Sequence, residues 1–174
     1  MSYIWAMKFD EAKSKFIQTW GKLGSEWGIN RTMAQVHALL LISPKPLSCE
    51  EIMAELSISR GNANMNLREL INWTLIHKEL ISGDRKEYFA AEKNIWEVAR
   101  RIASERKKRE IEPVVRVIDQ LSEVEGDRKN PEIQEFADMM VQLGNFVNKM
   151  DKSVDLIVKA DENWLFNSIF KLIR

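Results

Sequence analysis

The residues with the most informative chemistry lie between Leu56 and Trp73, where the sequence is LSISRGNANMNLRELINW. Asparagine and glycine are poor helix formers, yet apolar residues at spacings of three and four predict a helix from Ser59 to about Trp73. Asparagine can bond bidentately to adenine and arginine to guanine, and the major groove of DNA admits a helix. We therefore predict a DNA recognition helix with these functional residues: Ser59, Arg60, Gly61, Asn62, Asn64, Asn66 and Arg68.

The first turn of this helix is suited to a phosphate. Ser59 is a predicted N-cap, and the free backbone N–H groups behind it can bind an anion. Gly61 costs about 1 kcal/mol relative to alanine within a helix, which makes sense where the backbone must approach a phosphate closely. The alternative is an ordinary solvated helix face, although such a face would more readily use Glu, Lys and Gln.

The flanking elements determine what this helix can do. The pattern predicts a helix over about 31–42, and a second helix that begins at Ser48, where Ser48 and Glu51 have the capping-box spacing. After the recognition helix, loose alternation over 75–81 and 86–91 predicts a β-hairpin. Two helices, a polar-faced third and a hairpin are the order of a winged helix-turn-helix. Arg85 and Lys86 at the hairpin tip are the predicted wing contacts with DNA.

Long helices are predicted on both sides of this module. Residues 5–27 form one broad apolar face, and a helix from about Asn94 should be ended or kinked by Pro113. Its segment 104–110 has no apolar residue and is predicted to bridge between domains. After Asn130-Pro131, a cap and first-turn proline, heptad spacing predicts helix pairing, within or between subunits. The predicted dimerisation residues are Phe9, Phe16, Trp20, Ile133, Phe136, Met140, Leu143, Val147, Met150 and Val154.

These elements predict a mainly α fold with a small β-hairpin, a winged helix-turn-helix plus long dimerisation helices. The predicted domains are an N-terminal packing helix (1–30), the DNA-binding domain (31–93), and a connector with a C-terminal helical region (94–174). A final short helix is predicted after Asp161.

Tryptophan and cysteine residues could bind an effector or sense oxidation, whereas the two histidines do not indicate a metal site. Trp5, Trp20 and Trp27 lie near one helix face and could hold a quaternary ammonium effector by cation–π attraction, although plain packing is the simpler interpretation. Cys49, at a helix N-terminus that would lower its pKa, could be a redox sensor, although a structural or incidental cysteine is the simpler interpretation. His37 and His77 have no second ligand at metal-binding spacing, so no metal site is predicted.

Composition narrows the class of protein. The chain has 174 residues, zero net charge and one cysteine, which excludes an internal disulfide framework. No apolar run is long enough to span a membrane, and the N-terminus lacks a signal-peptide pattern, so we expect a cytoplasmic protein. No nucleophile–base pair, phosphate loop or metal-ligand spacing is found, so neither an enzyme nor a cofactor is predicted.

Several strings resemble a known family. GINRTMAQVHALLLIS, LSISRGNANMNLRELINWTLI and SGDRKEYFAAEKNIWEVARRIASERKKREIEPV are similar to the GbsR-type branch of the MarR-like winged-helix transcriptional regulators, over about residues 28–115. The resemblance implies a homodimer that binds double-stranded DNA, and the branch includes regulators of osmoprotectant uptake and synthesis. The competing prediction is a winged helix used for protein–protein contact without DNA binding.

Overall fold

The computed structural model describes residues 7–123, 126 and 129–159, and it divides into two compact units. The first unit ends at Ile95 and the second begins at Trp96. This division lies close to the boundary predicted between residues 93 and 94. Trp5, residues 124–125 and 127–128, and the helix predicted after Asp161 lie outside the described residues.

The first unit has the order helix, helix, strand, helix, helix, hairpin. The elements are α1 (Phe9–Glu26), α2 (Arg31–Ile42), β1 (Leu47–Ser48), α3 (Cys49–Leu56), α4 (Arg60–Asn72), β2 (Ile76–Leu80) and β3 (Glu87–Ala91). The strands form an antiparallel sheet in the order β1-β3-β2, with Leu47 opposite Phe89 and Ile76 opposite Ala91. The predicted fold class, mainly α with a small β-hairpin arranged as a winged helix-turn-helix, is confirmed.

Side-chain caps fix where the helices of this unit begin. The Ser48 hydroxyl accepts a hydrogen bond from the Glu51 backbone N–H at 3.3 Å, while the Ser48 N–H donates to the Glu51 carboxylate at 2.7 Å. This is the predicted capping box. The Asn30 side chain likewise accepts from the Met33 N–H at 3.1 Å at the start of α2.

The core of the first unit lies between α2, α3, α4 and the sheet. Its fully or almost fully buried side chains include Val36, Leu39, Ile52, Leu67, Leu70 and Phe89. Helix α1 packs on α2 through small residues, since a Cβ added at Gly24 would lie 2.6 Å from the Cβ of Ala34. The predicted apolar face of α1 is only partly covered by the rest of the first unit: Ile17 is buried, but Phe9 is 77% exposed.

The second unit is helical. It contains most of α5 (Ile95–Arg106), a π-helical segment (Lys107–Ile111), α6 (Glu112–Leu121) and α7 (Pro131–Lys159). Pro113 does not end the helical run: it lies in the first turn of α6, just after the π-helical segment that interrupts the regular α-helix. Proline clashes with the carbonyl four residues earlier, and a wider turn gives that carbonyl room.

The polar stretch 104–110 is only partly solvated: Ser104 and residues 108–110 are exposed, whereas Lys107 is half-buried against α7. The ammonium group of Lys107 bonds to the carboxylate of Asp155 and lies 3.2 Å from that of Asp151, both on α7. The Arg100 Nε–H donates to the Val158 carbonyl at 2.7 Å. A helix without apolar residues can pack when its charges are paired, and this stretch packs on α7 within the second unit.

Helix α7 carries two apolar rows rather than the one row predicted. The first, the inner row, is buried or half-buried, and its Gly144 faces Ile118 of α6, 3.4 Å from an added Cβ. The second, the outer row, is exposed over its whole length. The inner row comprises Ile133, Ala137, Met140, Gly144, Val147 and Val154. The outer row comprises Phe136, Met139, Leu143, Phe146 and Met150. The predicted heptad seam takes members from both.

Candidate nucleic-acid interface

A tight turn positions α4 as the second helix of the helix-turn-helix. Ser57 ends α3 in the left-handed region (φ 52°), and the Ile58 N–H donates to the Met53 carbonyl at 3.2 Å. The Ser59 hydroxyl then accepts from the Asn62 N–H at 3.3 Å, which confirms the predicted N-cap. The chain therefore enters α4 with a fixed direction.

Packing of α4 leaves one continuous ridge in solvent. Ala63, Leu67 and Leu70 are buried in the core of the first unit. The opposite side of the helix carries Arg60, Gly61, Asn64, Met65 and Arg68, all exposed. Residues 60, 64 and 68 stand four apart, so their side chains lie on one line along the helix.

The prediction that Asn66 lies on the solvent face is wrong. Asn66 is 2% exposed, and its Nδ2 group donates to the Asn62 carbonyl at 2.8 Å and to the Asn62 Oδ1 at 2.7 Å. Position 66 falls between the inward positions 63 and 70, which turns its side chain toward the core. The Asn66 amide is thus hydrogen-bonded within α4, and the half-buried Asn62 supplies both acceptor atoms.

The first turn of α3 contacts the ridge of α4. The Cys49 thiol donates to the Asn64 Oδ1 at 3.4 Å, and Glu50 Oε1 lies 2.9 Å from an Nη atom of Arg60. The pKa of Glu50 is lowered by its own backbone N–H, then by Arg60, with a smaller contribution from Lys86. Glu50 is thus a carboxylate held ionised between α4 and the hairpin tip.

The predicted activation of Cys49 by its helix N-terminus is not found. The pKa of the Cys49 thiol is raised, chiefly by burial and then by the neighbouring Glu50 carboxylate. A raised pKa reduces the thiolate that oxidants attack. In this structure Cys49 therefore contacts α4 as a thiol.

The hairpin tip presents the wing residues. Gly83 has φ 87° at the turn, and Arg85 and Lys86 are exposed. Asp84 orders the tip, since its carboxylate accepts from the Tyr88 hydroxyl at 2.7 Å and from the Lys86 N–H at 3.0 Å. These two bonds lower the pKa of Asp84, with Tyr88 contributing most.

The aromatic residues of α1 are only partly available. Trp20 is half-buried and packs against Phe16 and His37, at ring-centroid distances of 5.5 and 6.2 Å. Trp27 is 51% exposed. Since Trp5 lies outside the described residues, the aromatic effector site stays a prediction.

Sequence reasoning did not identify Met65, Cys49 or Glu50 as parts of this surface. Met65 could have been found, because it stands four residues after Gly61 on the same helical line. Cys49 and Glu50 have no sequence signal, since their contacts with α4 depend on how the turn at 57–59 folds the two helices together.

Two further observations limit what the described residues can do. None of their helices is long and apolar enough to cross a membrane. Within the same residues, no cluster of three or more His, Cys, Asp or Glu side chains could hold a metal ion.

Comparison with solved structures finds a similar fold. No protein-family model matches the chain, and no curated protein matches it. A crystal structure described as that of a transcriptional regulator is similar, with a TM-score of 0.55 and 22% sequence identity. The similarity covers 83% of this chain and 98% of the other. At this identity it shows a shared fold.

Proposed function

We propose that the chain is a cytoplasmic, sequence-specific DNA-binding transcriptional regulator that acts as a homodimer. The observation that carries the proposal is the ridge of α4, where Arg60, Asn64 and Arg68 are exposed on one line while the opposite face is fully packed. A helix that presents amide and guanidinium groups along its free face fits the major groove.

Each exposed group has a distinct proposed role. Arg60, Asn64 and Arg68 contact base edges, and the apolar side chain of Met65 suits a thymine methyl group. The backbone N–H groups behind Ser59 bind a phosphate. Arg85 and Lys86 bind the flanking backbone through the wing and set position rather than sequence. Asn66 has no DNA contact in this scheme, because its amide is bonded to Asn62.

The outer row of α7 supports the homodimer. Its members alternate at spacings of three and four, the spacing of a helix that pairs with another helix. Helix α6 has a matching exposed row, Val114, Val117 and Leu121. A second copy that covers both rows forms a four-helix core. A two-fold dimer is also the arrangement in which two recognition helices bind half-sites about 34–36 Å apart.

The resemblance to the GbsR-type branch supports two finer assignments, membership of that branch and control by a small-molecule effector. A quaternary ammonium compound near Trp20 and Trp27 fits the cation–π chemistry of an indole ring. Titration with choline or betaine should then change both tryptophan fluorescence and DNA affinity. If neither changes, these ligands are not the effector.

The proposed function is tested by comparing base contacts with backbone contacts. A preferred duplex is selected from a randomised library with the wild-type protein, and affinity is measured by fluorescence anisotropy at several salt concentrations. Asn64→Ala should cost about 1–3 kcal/mol on the preferred duplex and little on scrambled DNA. Lys86→Ala should weaken both equally and reduce the salt slope by about one.

The outcomes separate the proposal from its rival. A protein that enriches no sequence and shows no salt-sensitive affinity would favour the protein–protein interaction module. Equal loss on preferred and scrambled DNA for Asn64→Ala would remove α4 from base recognition.

A further inference from the structure

The DNA-facing ridge of α4 includes one ion pair with a neighbouring helix. Glu50, in the first turn of α3, lies 2.9 Å from an Nη atom of Arg60, the first residue of α4. Both side chains are largely exposed, with 46% of the Glu50 side chain and 61% of the Arg60 side chain accessible. The pair therefore lies on the surface that would meet DNA.

Fold stability does not explain this pair. Exposed ion pairs contribute little to stability, because solvent screens them and ordering two long side chains costs entropy. A carboxylate beside phosphates also opposes DNA binding, since much of the affinity comes from cations that neutralise phosphates. Glu50 has a second cation nearby, Lys86 of the wing, whose charge also lowers its pKa. A carboxylate at this position needs another reason.

The geometry of the arginine side chain gives a reason for a carboxylate at position 50. A guanidinium group has five N–H donors in a rigid planar fork. The contact with Glu50 engages one end of that fork and leaves other donors for the O6 and N7 acceptors of a guanine. Because arginine has many rotamers, fixing one of them before binding reduces the entropy lost when the base contact forms.

We propose that Glu50 is a positioning residue that holds Arg60 in the orientation for guanine recognition and so sets sequence specificity at one base pair. This inference rests on the proposed DNA-binding function. It gives Glu50 two opposite effects: its charge weakens binding to every duplex, while its contact with Arg60 strengthens discrimination at one guanine. Specificity is a difference of affinities; the uniform effect of the charge cancels in that difference, so only the contact with Arg60 changes discrimination.

The test uses the full chain and the preferred duplex selected above. Affinity is measured for that duplex, for duplexes in which each guanine is replaced in turn, and for a scrambled duplex. The variants are Glu50→Gln, Glu50→Ala, Arg60→Ala and the two double variants. Glu55→Gln is the matched control, because Glu55 forms a comparable 2.7 Å ion pair with Lys13 near the other end of α3. Thermal unfolding of each variant detects a structural effect.

Arg60→Ala should identify one guanine whose replacement no longer matters, at which the wild type discriminates roughly 5- to 150-fold. Both Glu50 variants should lower discrimination at that base pair at least fivefold, raise affinity for scrambled DNA and leave the other base pairs unchanged. Combined with Arg60→Ala, they should have no further effect on discrimination. Glu55→Gln should behave as the wild type.

Two kinds of failure are distinguishable. If the wild type selects a duplex but Glu50→Gln changes discrimination less than twofold, or still changes it in the Arg60→Ala background, the positioning role is refuted. The same holds if Arg60→Ala identifies no guanine. If the wild type selects no duplex at all, the proposed function itself fails.

Discussion

Gly61 offers a substitution in which stability and DNA affinity should change in opposite directions. It is the second residue of α4, it is exposed, and a Cβ added there would meet nothing within 4 Å. The fold therefore has no steric need for glycine at this position. Since alanine restricts the unfolded chain more than glycine does, Gly61→Ala should stabilise the protein by about 0.5 kcal/mol, near the low end for compatible sites.

The same substitution should weaken DNA binding. A methyl group in the first turn of α4 separates the backbone N–H groups from an approaching phosphate. A hydrogen bond to a charged group contributes about 1.5–3 kcal/mol, so the loss of one such bond lowers affinity roughly 10- to 150-fold. This loss should be similar for preferred and scrambled duplexes, because phosphates carry no direct sequence information.

Urea unfolding and fluorescence anisotropy at one fixed salt concentration measure the two effects. Gly24→Ala is the control, because its new Cβ would lie 2.6 Å from the Cβ of Ala34 and must push α1 away from α2. Overpacking of this kind costs about 1–3 kcal/mol without adding an atom to the ridge of α4. Undiminished DNA affinity for Gly61→Ala, or a loss of stability, would refute the reasoning.

Three other substitutions test particular contacts. Burial, and then Lys93, lower the pKa of His37 from 6.5 to about 4, so the unfolded chain binds the proton first as pH falls. The free energy of unfolding should therefore fall by about 3 kcal/mol between pH 7 and pH 4 because of this group. His37→Leu should abolish this decrease when urea unfolding is measured across the pH range; wild-type and variant profiles that stay parallel would contradict the reasoning. Lys93→Met removes an ammonium group that donates to the carbonyls of Leu40, Leu41 and Ser43 at 2.7–2.8 Å, and should cost about 1–2 kcal/mol by the same assay. Phe146→Glu on the outer row of α7 should give monomers in sedimentation, whereas Asn148→Glu should not; unchanged dimers in both would place the interface elsewhere.

Local signals in the sequence were sufficient to predict most helix starts. Ser48, Ser59 and Asn30 act through bonds to backbone groups within three residues, so their effect is contained in a short string. Strand β1 has only two residues and no such signal, because its pairing partner, β3, lies some forty residues later. The burial of Asn66 was predictable from its spacing, but its polarity favoured solvent.

The partner of α7 could not be predicted from spacing alone. The apolar residues of α7 form two different rows that both have spacings of three and four. Only the position of α6 shows which row it covers. The contacts of Lys107 could not be predicted from the sequence for a related reason. A lysine in a run of charged residues looks solvated until the two aspartates of a distant helix are known to lie beside it.

The π-helical segment before Pro113 lets α6 keep its orientation although the chain contains one additional residue at this point. Each residue of an α-helix advances the side-chain direction by about 100°, and a π-helical turn absorbs about one additional residue. Deleting one residue between Lys107 and Ile111 would therefore restore regular winding and leave Val114, Val117 and Leu121 facing nearly the same direction. A one-residue change in length at this point can thus be accommodated while Ile118 stays on the buried side of α6.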